Sequence, residues 1–206
     1  MLASPFSLSI ALVVSLCVQT APIPGVESAP INRVCPVSQE PIGEQAVTVV
    51  LWGHSIAFGS EESSKSFLAT PSIDQQEFVL SHLEPINSGC PIDGTPTARC
   101  ESGVLSGGFA VACCDESCAE QFRAWDPGKA GVFIRRFEEP INDAVCPQTG
   151  DDLVADDPYY VAHDGRLLQL CCDYCLMEWR YQPALRDDAL RRALGIEIEQ
   201  PKIALP

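Results

Sequence analysis

Apolar and polar positions alternate along Val47-Thr48-Val49-Val50-Leu51-Trp52, break at Gly53, and resume along Ser55-Ile56-Ala57-Phe58. The same rhythm recurs at Tyr159-Tyr160-Val161-Ala162, a turn His163-Asp164-Gly165, and Arg166-Leu167-Leu168-Gln169-Leu170. A third turn reads Leu105-Ser106-Gly107-Gly108. Two short alternating runs around a glycine turn predict a β-hairpin. After each hairpin the period lengthens and predicts a short helix, with Asp115, Glu116 and Glu120 in its first turns, where carboxylates suit the helix dipole. A proline (Pro71, Pro127 or Pro183) is expected to end that helix. A tail of about a dozen residues then leads to the next unit. In the last unit the tail is predicted helical, with Ala184, Leu185, Ala189, Leu190, Ala193 and Leu194 as an apolar stripe and Gly195 as its stop.

These elements recur in register. Pro-Ile-Asn stands at residues 30, 85 and 140, a spacing of 55 residues each time. Cys35-Pro36, Cys90-Pro91 and Cys146-Pro147 follow. Then come Gly53, Gly108 and Gly165; then Gly59, Cys114 and Cys171; then Ser63, Cys118 and Cys175; then Phe67, Phe122 and Trp179. So many landmarks in one order predict three copies of one small unit. Their expected bounds are 30–84, 85–139 and 140–206. The three tryptophans, Trp52, Trp125 and Trp179, are expected in the cores of the units rather than between them.

Composition changes this picture in two ways. Eleven cysteines among 206 residues exceed ordinary usage and fit small units that need staples or metals, because each buries too little apolar surface alone. The formal charge of −15 excludes the basic stripe that nucleic-acid binding needs. The N-terminus reads as an export signal over residues 1–21, with Phe6 to Val18 as its apolar core, followed by a linker at 22–29. Export to a periplasmic or extracellular space is therefore expected. An uncleaved signal or a lipidated Cys17 would anchor the chain to a membrane, and no other segment is apolar enough to span one. In an oxidising compartment disulfides compete with every metal reading.

The cysteines follow one plan. A Cys-Pro knuckle precedes a pair separated by three residues: Cys90 with Cys114 and Cys118, and Cys146 with Cys171 and Cys175. On one helix, that pair would hold its Cβ atoms about 5–6 Å apart, too far for the roughly 3.5–4.5 Å of a disulfide but suited to one thiophilic ion. Asp93 is a candidate fourth ligand in the second unit, and Thr149, Asp151 or water in the third. Cys113 and Cys172 are adjacent extra thiols and further candidate ligands. Cys100 is a candidate disulfide partner for Cys113. In the first unit the pair has become Gly59 and Ser63, so no metal is expected there, and Cys35 is left as an odd thiol free to pair elsewhere. His163, alone in its turn, is expected to be solvated, and His54 and His82 to be surface or packing residues.

The knuckle, the glycine-turn hairpin, the spaced pair, the aromatic and the proline together resemble TRASH and YHS modules. The resemblance covers the three units. It implies a small α+β fold of three tandem treble-clef-like modules, each a hairpin followed by a short helix. It also implies metal ligation by Cys90, Cys114 and Cys118 and by Cys146, Cys171 and Cys175, and roles in metal sensing, trafficking or resistance. The chain departs from that pattern in its knuckle-to-pair spacings of 23 and 24 residues, in Cys113 and Leu170 where an aromatic precedes the pair, and in the ligandless first unit.

Thiolate-rich sites favour zinc or copper(I). The expected partners are the metal ion and a protein that passes metal on or receives it. A disulfide-stapled interaction protein is the alternative. Cys172-Asp173-Tyr174-Cys175 has the spacing of a redox motif, but the βαβ context is missing, and no hydrolytic constellation accompanies the three histidines. No catalysis is expected.

Overall fold

The computed structural model describes residues 29–97, 102–142, 144–153 and 159–196. The expected export signal with Cys17, most of the expected linker, and Cys100 lie outside them. Among the described residues no helix is long and apolar enough to cross a membrane.

The described residues form a small α+β fold with three two-stranded antiparallel hairpins and six α-helices. The hairpins pair β1 (Val47–Leu51) with β2 (His54–Phe58), β3 (Ser102–Ser106) with β4 (Phe109–Cys113), and β5 (Tyr159–His163) with β6 (Arg166–Leu170). A helix follows each: α1 (Glu61–Leu68), α3 (Glu116–Arg123) and α5 (Asp173–Tyr181). A second helix comes next: α2 (Ser72–Leu80), α4 (Pro127–Ile134) and α6 (Arg186–Ala193), the last entered through a 3-10 turn at Pro183–Leu185.

The Pro-Ile-Asn segments act as clamps. Ile31, Ile86 and Ile141 donate backbone N–H to Ser55, Ala110 and Leu167. The buried amide of Asn87 donates to Ala112 O at 2.9 Å and accepts from Ala112 N at 2.8 Å. Asn32 does the same to Ala57 and Asn142 to Gln169. Each asparagine thus occupies the backbone groups of its hairpin's inner strand. Asn87→Ala is expected to cost about 3 kcal/mol, because it leaves a buried N–H and C=O unpaired; denaturant unfolding checks it, and a loss under about 0.5 kcal/mol would contradict the clamp.

The closing prolines start helices as well as ending them. Pro127 opens α4 and Pro71 stands just before α2. With no N–H to leave unpaired and a helical φ already set, proline suits that position. The tails of the first two units are therefore helical, which their sequence did not declare. In the third unit Gly195 ends α6 as expected, with Ile196 N–H reaching Arg191 O at 2.9 Å.

These second helices tie the units together. α2 packs against β3 and α4 against β5. Gly131 of α4 lies so close to the Tyr160 carbonyl that any Cβ would overlap it. The core of the second unit, with Val111, Phe122, Phe133 and Ile134, includes Leu167 from β6. The third core holds Val161, Leu168, Trp179, Ala189 and Leu190. The first holds Ile56, Phe58, Phe67 and Val79.

The three hairpin tips meet. Trp52 and Gly53, Gly107 and Gly108, and Asp164 and Gly165 all have positive φ, the backbone of a two-residue type I′ turn. Trp52 is thus a turn residue at this junction, while Trp179 is a core residue. Gly165 N–H donates to Gly107 O at 2.8 Å, and His54 Nε2 lies 2.6 Å from Gly108 O.

Candidate metal centres

Each knuckle cysteine begins a tight turn. Cys35, Cys90 and Cys146 accept at their carbonyls from Gln39, Gly94 and Gly150, and their N–H groups reach Glu40, Thr95 and Asp151. The turn aims further N–H groups at the sulfur. Burial pushes the Cys35 thiol up, but the N–H groups of Gly59, Ser38 and Val37 and the Ser38 hydroxyl outweigh it and bring the pKa to about 6. At Cys90 burial likewise acts upward, and the N–H groups of Cys114, Asp93 and Ile92 bring the thiol below its ordinary value. Cys146 repeats this with Thr149, Cys171 and Gln148. A thiolate is thereby favoured at each knuckle.

The hairpin then returns the chain to the knuckle. Cys114 and Cys171 leave the ends of β4 and β6, and Cys118 and Cys175 stand in the first turn of α3 and α5. Only the second member of each pair is helical; the first stands before the N-cap. This corrects the single-helix picture; the sulfurs stand 3.4 Å apart in Cys114 and Cys118, and 3.6 Å apart in Cys171 and Cys175.

In the second unit the ligand atoms of Cys90, Asp93, Cys114 and Cys118 all lie within 4.8 Å of one another. Cys114 Sγ is 3.6 Å from Asp93 Oδ2. Around a tetrahedral zinc with Zn–S near 2.3 Å, sulfurs sit about 3.8 Å apart and a sulfur sits about 3.6 Å from a carboxylate oxygen. Asp93 is shaped for this place: its carboxyl is held below the usual range, chiefly by the Thr95 N–H. Cys118 is pushed well above the ordinary thiol value by Cys114, then by burial and Cys90. Ionising one sulfur makes its neighbours harder to ionise, the condition a cation relieves.

In the third unit Cys146, Cys171 and Cys175 form the corresponding group, with Cys146 and Cys175 at 3.8 Å. Thr149 Oγ1 is 3.7 Å from Cys171 Sγ. Burial, then Cys171 and Cys172, raise Cys175.

The two extra thiols differ. Cys113 ends β4 opposite Ser102, fully buried in the core of the second unit, and is not in the ligand group. Cys172 is the N-cap of α5, where the other units place Ser60 and Asp115, whose side chains accept from Ser63 N and Cys118 N. The Cys175 N–H lowers the Cys172 thiol first, against a smaller upward effect of burial. Its sulfur is 3.6 Å from both Cys171 and Cys175. Asp151 uses its backbone N–H toward Thr149.

In the first unit, Gly59 and the Ser63 hydroxyl replace the pair, and Ser63 Oγ pairs with Ser60 Oγ at 3.1 Å. Cys35 is completely buried and is not presented for pairing with another thiol.

A further group was not anticipated. His163, Asp164 and Asp187 bring a ring nitrogen and two carboxylates within 4.8 Å of one another. The sequence places His163 beside Asp164, but Asp187 arrives only through the packing of α6. His54 bonds at the tip junction, while His82 is exposed beside Phe78.

No protein-family model, curated protein or solved structure matches this chain.

Proposed function

We propose that this is an exported metal-binding protein with two thiolate sites, Cys90–Asp93–Cys114–Cys118 and Cys146–Cys171–Cys175, on treble-clef-like modules of the TRASH/YHS type. The observation that carries the reading is the convergence of a knuckle sulfur with a hairpin-end sulfur and a helix sulfur in both units. Three thiolates and a carboxylate favour zinc in the second unit. The third unit, without the carboxylate, accommodates zinc or copper(I). Thr149, Cys172 or water completes its sphere. The first module serves as structure. Two such sites on one acidic carrier suit metal trafficking, scavenging or sensing, with a partner that exchanges the ion.

The test is metal content and free thiols measured together on protein from its native compartment. The expected result is near two zinc or copper ions per chain, falling to one in Cys114→Ser or in Cys171→Ser. No metal, with the six ligand cysteines oxidised, would replace this reading with the disulfide scaffold.

A further inference from the structure

We infer that His163, Asp164 and Asp187 form a third metal site, of nitrogen and oxygen donors, for a divalent first-row transition ion. His163 Nε2 is 3.1 Å from Asp187 Oδ1 and 3.8 Å from Asp164 Oδ2. Ligands about 2.0–2.2 Å from one ion lie about 3.0–3.5 Å apart, so small side-chain shifts seat all three. The ligating imidazole keeps its proton on Nδ1 and offers the Nε2 lone pair.

The fold builds this group from two directions. The type I′ turn puts Asp164, at φ 46°, directly after His163. The core contacts of Ala189 and Leu190 fix α6, so Asp187 is delivered from its first turn. The edge of buried Trp179 meets the imidazole, with ring centroids 5.3 Å apart, and limits its rotation. The side chains of His163 and Asp164 are only 20% and 26% exposed.

The charge is left open for a cation. A neutral imidazole and two carboxylates carry a charge of −2, and among the described residues no lysine or arginine forms a salt bridge with either aspartate. Arg186, their neighbour, acts on Asp187 through space but directs its Nε and Nη2 donors to the Trp179 and Arg180 carbonyls.

His163 and Asp164 also line an open hollow of about 760 Å³ between the three units. The coordination positions that three protein ligands leave free therefore have room for water or a small donor molecule. Imidazole and carboxylates accept Mn²⁺ or Zn²⁺ and disfavour copper(I), so the site differs in kind from the thiolate centres and does not depend on them.

The experiment is a Mn²⁺ titration, followed by electron paramagnetic resonance, of the full chain given only two equivalents of zinc, which the thiolate sites take up ahead of a nitrogen–oxygen site. It is run at 0.15 M salt or above, where loose attraction to the acidic surface is screened. One Mn²⁺ per chain is expected. Asp187→Asn should weaken it at least tenfold while the amide oxygen still accepts from His163, so the fold contact survives. Glu120→Gln, at an exposed carboxylate outside the group, should leave it unchanged. Absence of bound Mn²⁺, or binding indifferent to Asp187→Asn and His163→Ala, would overturn the site and reduce the group to a hydrogen-bonded turn. In a titration without zinc, loss of the thiolate sites alone would leave the Mn²⁺ signal in place, so the two readings fail separately.

Discussion

Removing bound metal with a strong chelator is expected to lower the unfolding free energy by about 4 kcal/mol for each thiolate site, the linkage term for an ion held near a thousandfold above its Kd. The size follows from the small cores. The second unit relies on a few residues such as Val111, Phe122 and Ile134, and Cys90 and Cys118 are buried beside them. An ion there would join knuckle, hairpin end and helix at one point, through contacts that exist only in the folded chain. Guanidinium midpoints with and without chelator measure the effect. Cys118→Ser and Cys175→Ser should each abolish about half of the difference. Cys35→Ser should leave the difference intact, because the first unit has only Gly59 and Ser63 where the pair would stand. Equal midpoints with and without chelator would remove the structural role assigned to the metal.

Gly108→Val is expected to cost about 4 kcal/mol, combining left-handed backbone strain with overpacking. Gly108 holds φ 92°, and a Cβ there would overlap Gly165 N and the Trp52 carbonyl. Those atoms are the tips of the other two hairpins, so the substitution forces all three apart. The loss should be the same with and without chelator, which separates the junction from the metal centres. Gly43→Val is the control: nothing lies within 4 Å of its added Cβ, and a change under about 0.5 kcal/mol is expected. A similarly small change for Gly108→Val would mean that the tips are not packed as described.

The hairpins were legible because alternation with a period of two is a local property; the tips were less so, since Trp52 passes to the turn while His54, Leu105, Ser106 and His163 belong to strands. The convergence of the cysteines was legible for a different reason. Cys90, Cys114 and Cys118 are marked by type and register, and the hairpin between them has little freedom except to return the chain to the knuckle. The helices α2 and α4 were not legible. Their apolar faces are short, and the prolines before them read as stops, whereas a proline in the first turn of a helix leaves no N–H unpaired.

Sequence by itself determined three hairpins, the cysteine triads around two of them and Gly59 and Ser63 in place of a pair beside the first, since each depends on neighbours along the chain and on residue type. Only the tertiary structure decided that the units pack around their hairpin tips, that Cys113 belongs to the core while Cys172 caps a helix, and that Asp187 meets His163 and Asp164. Those outcomes depend on helices reaching across to the next hairpin and on α6 seating Leu190 in the last core. Contacts between residues so far apart are set by which apolar faces remain to be buried once every local element has formed.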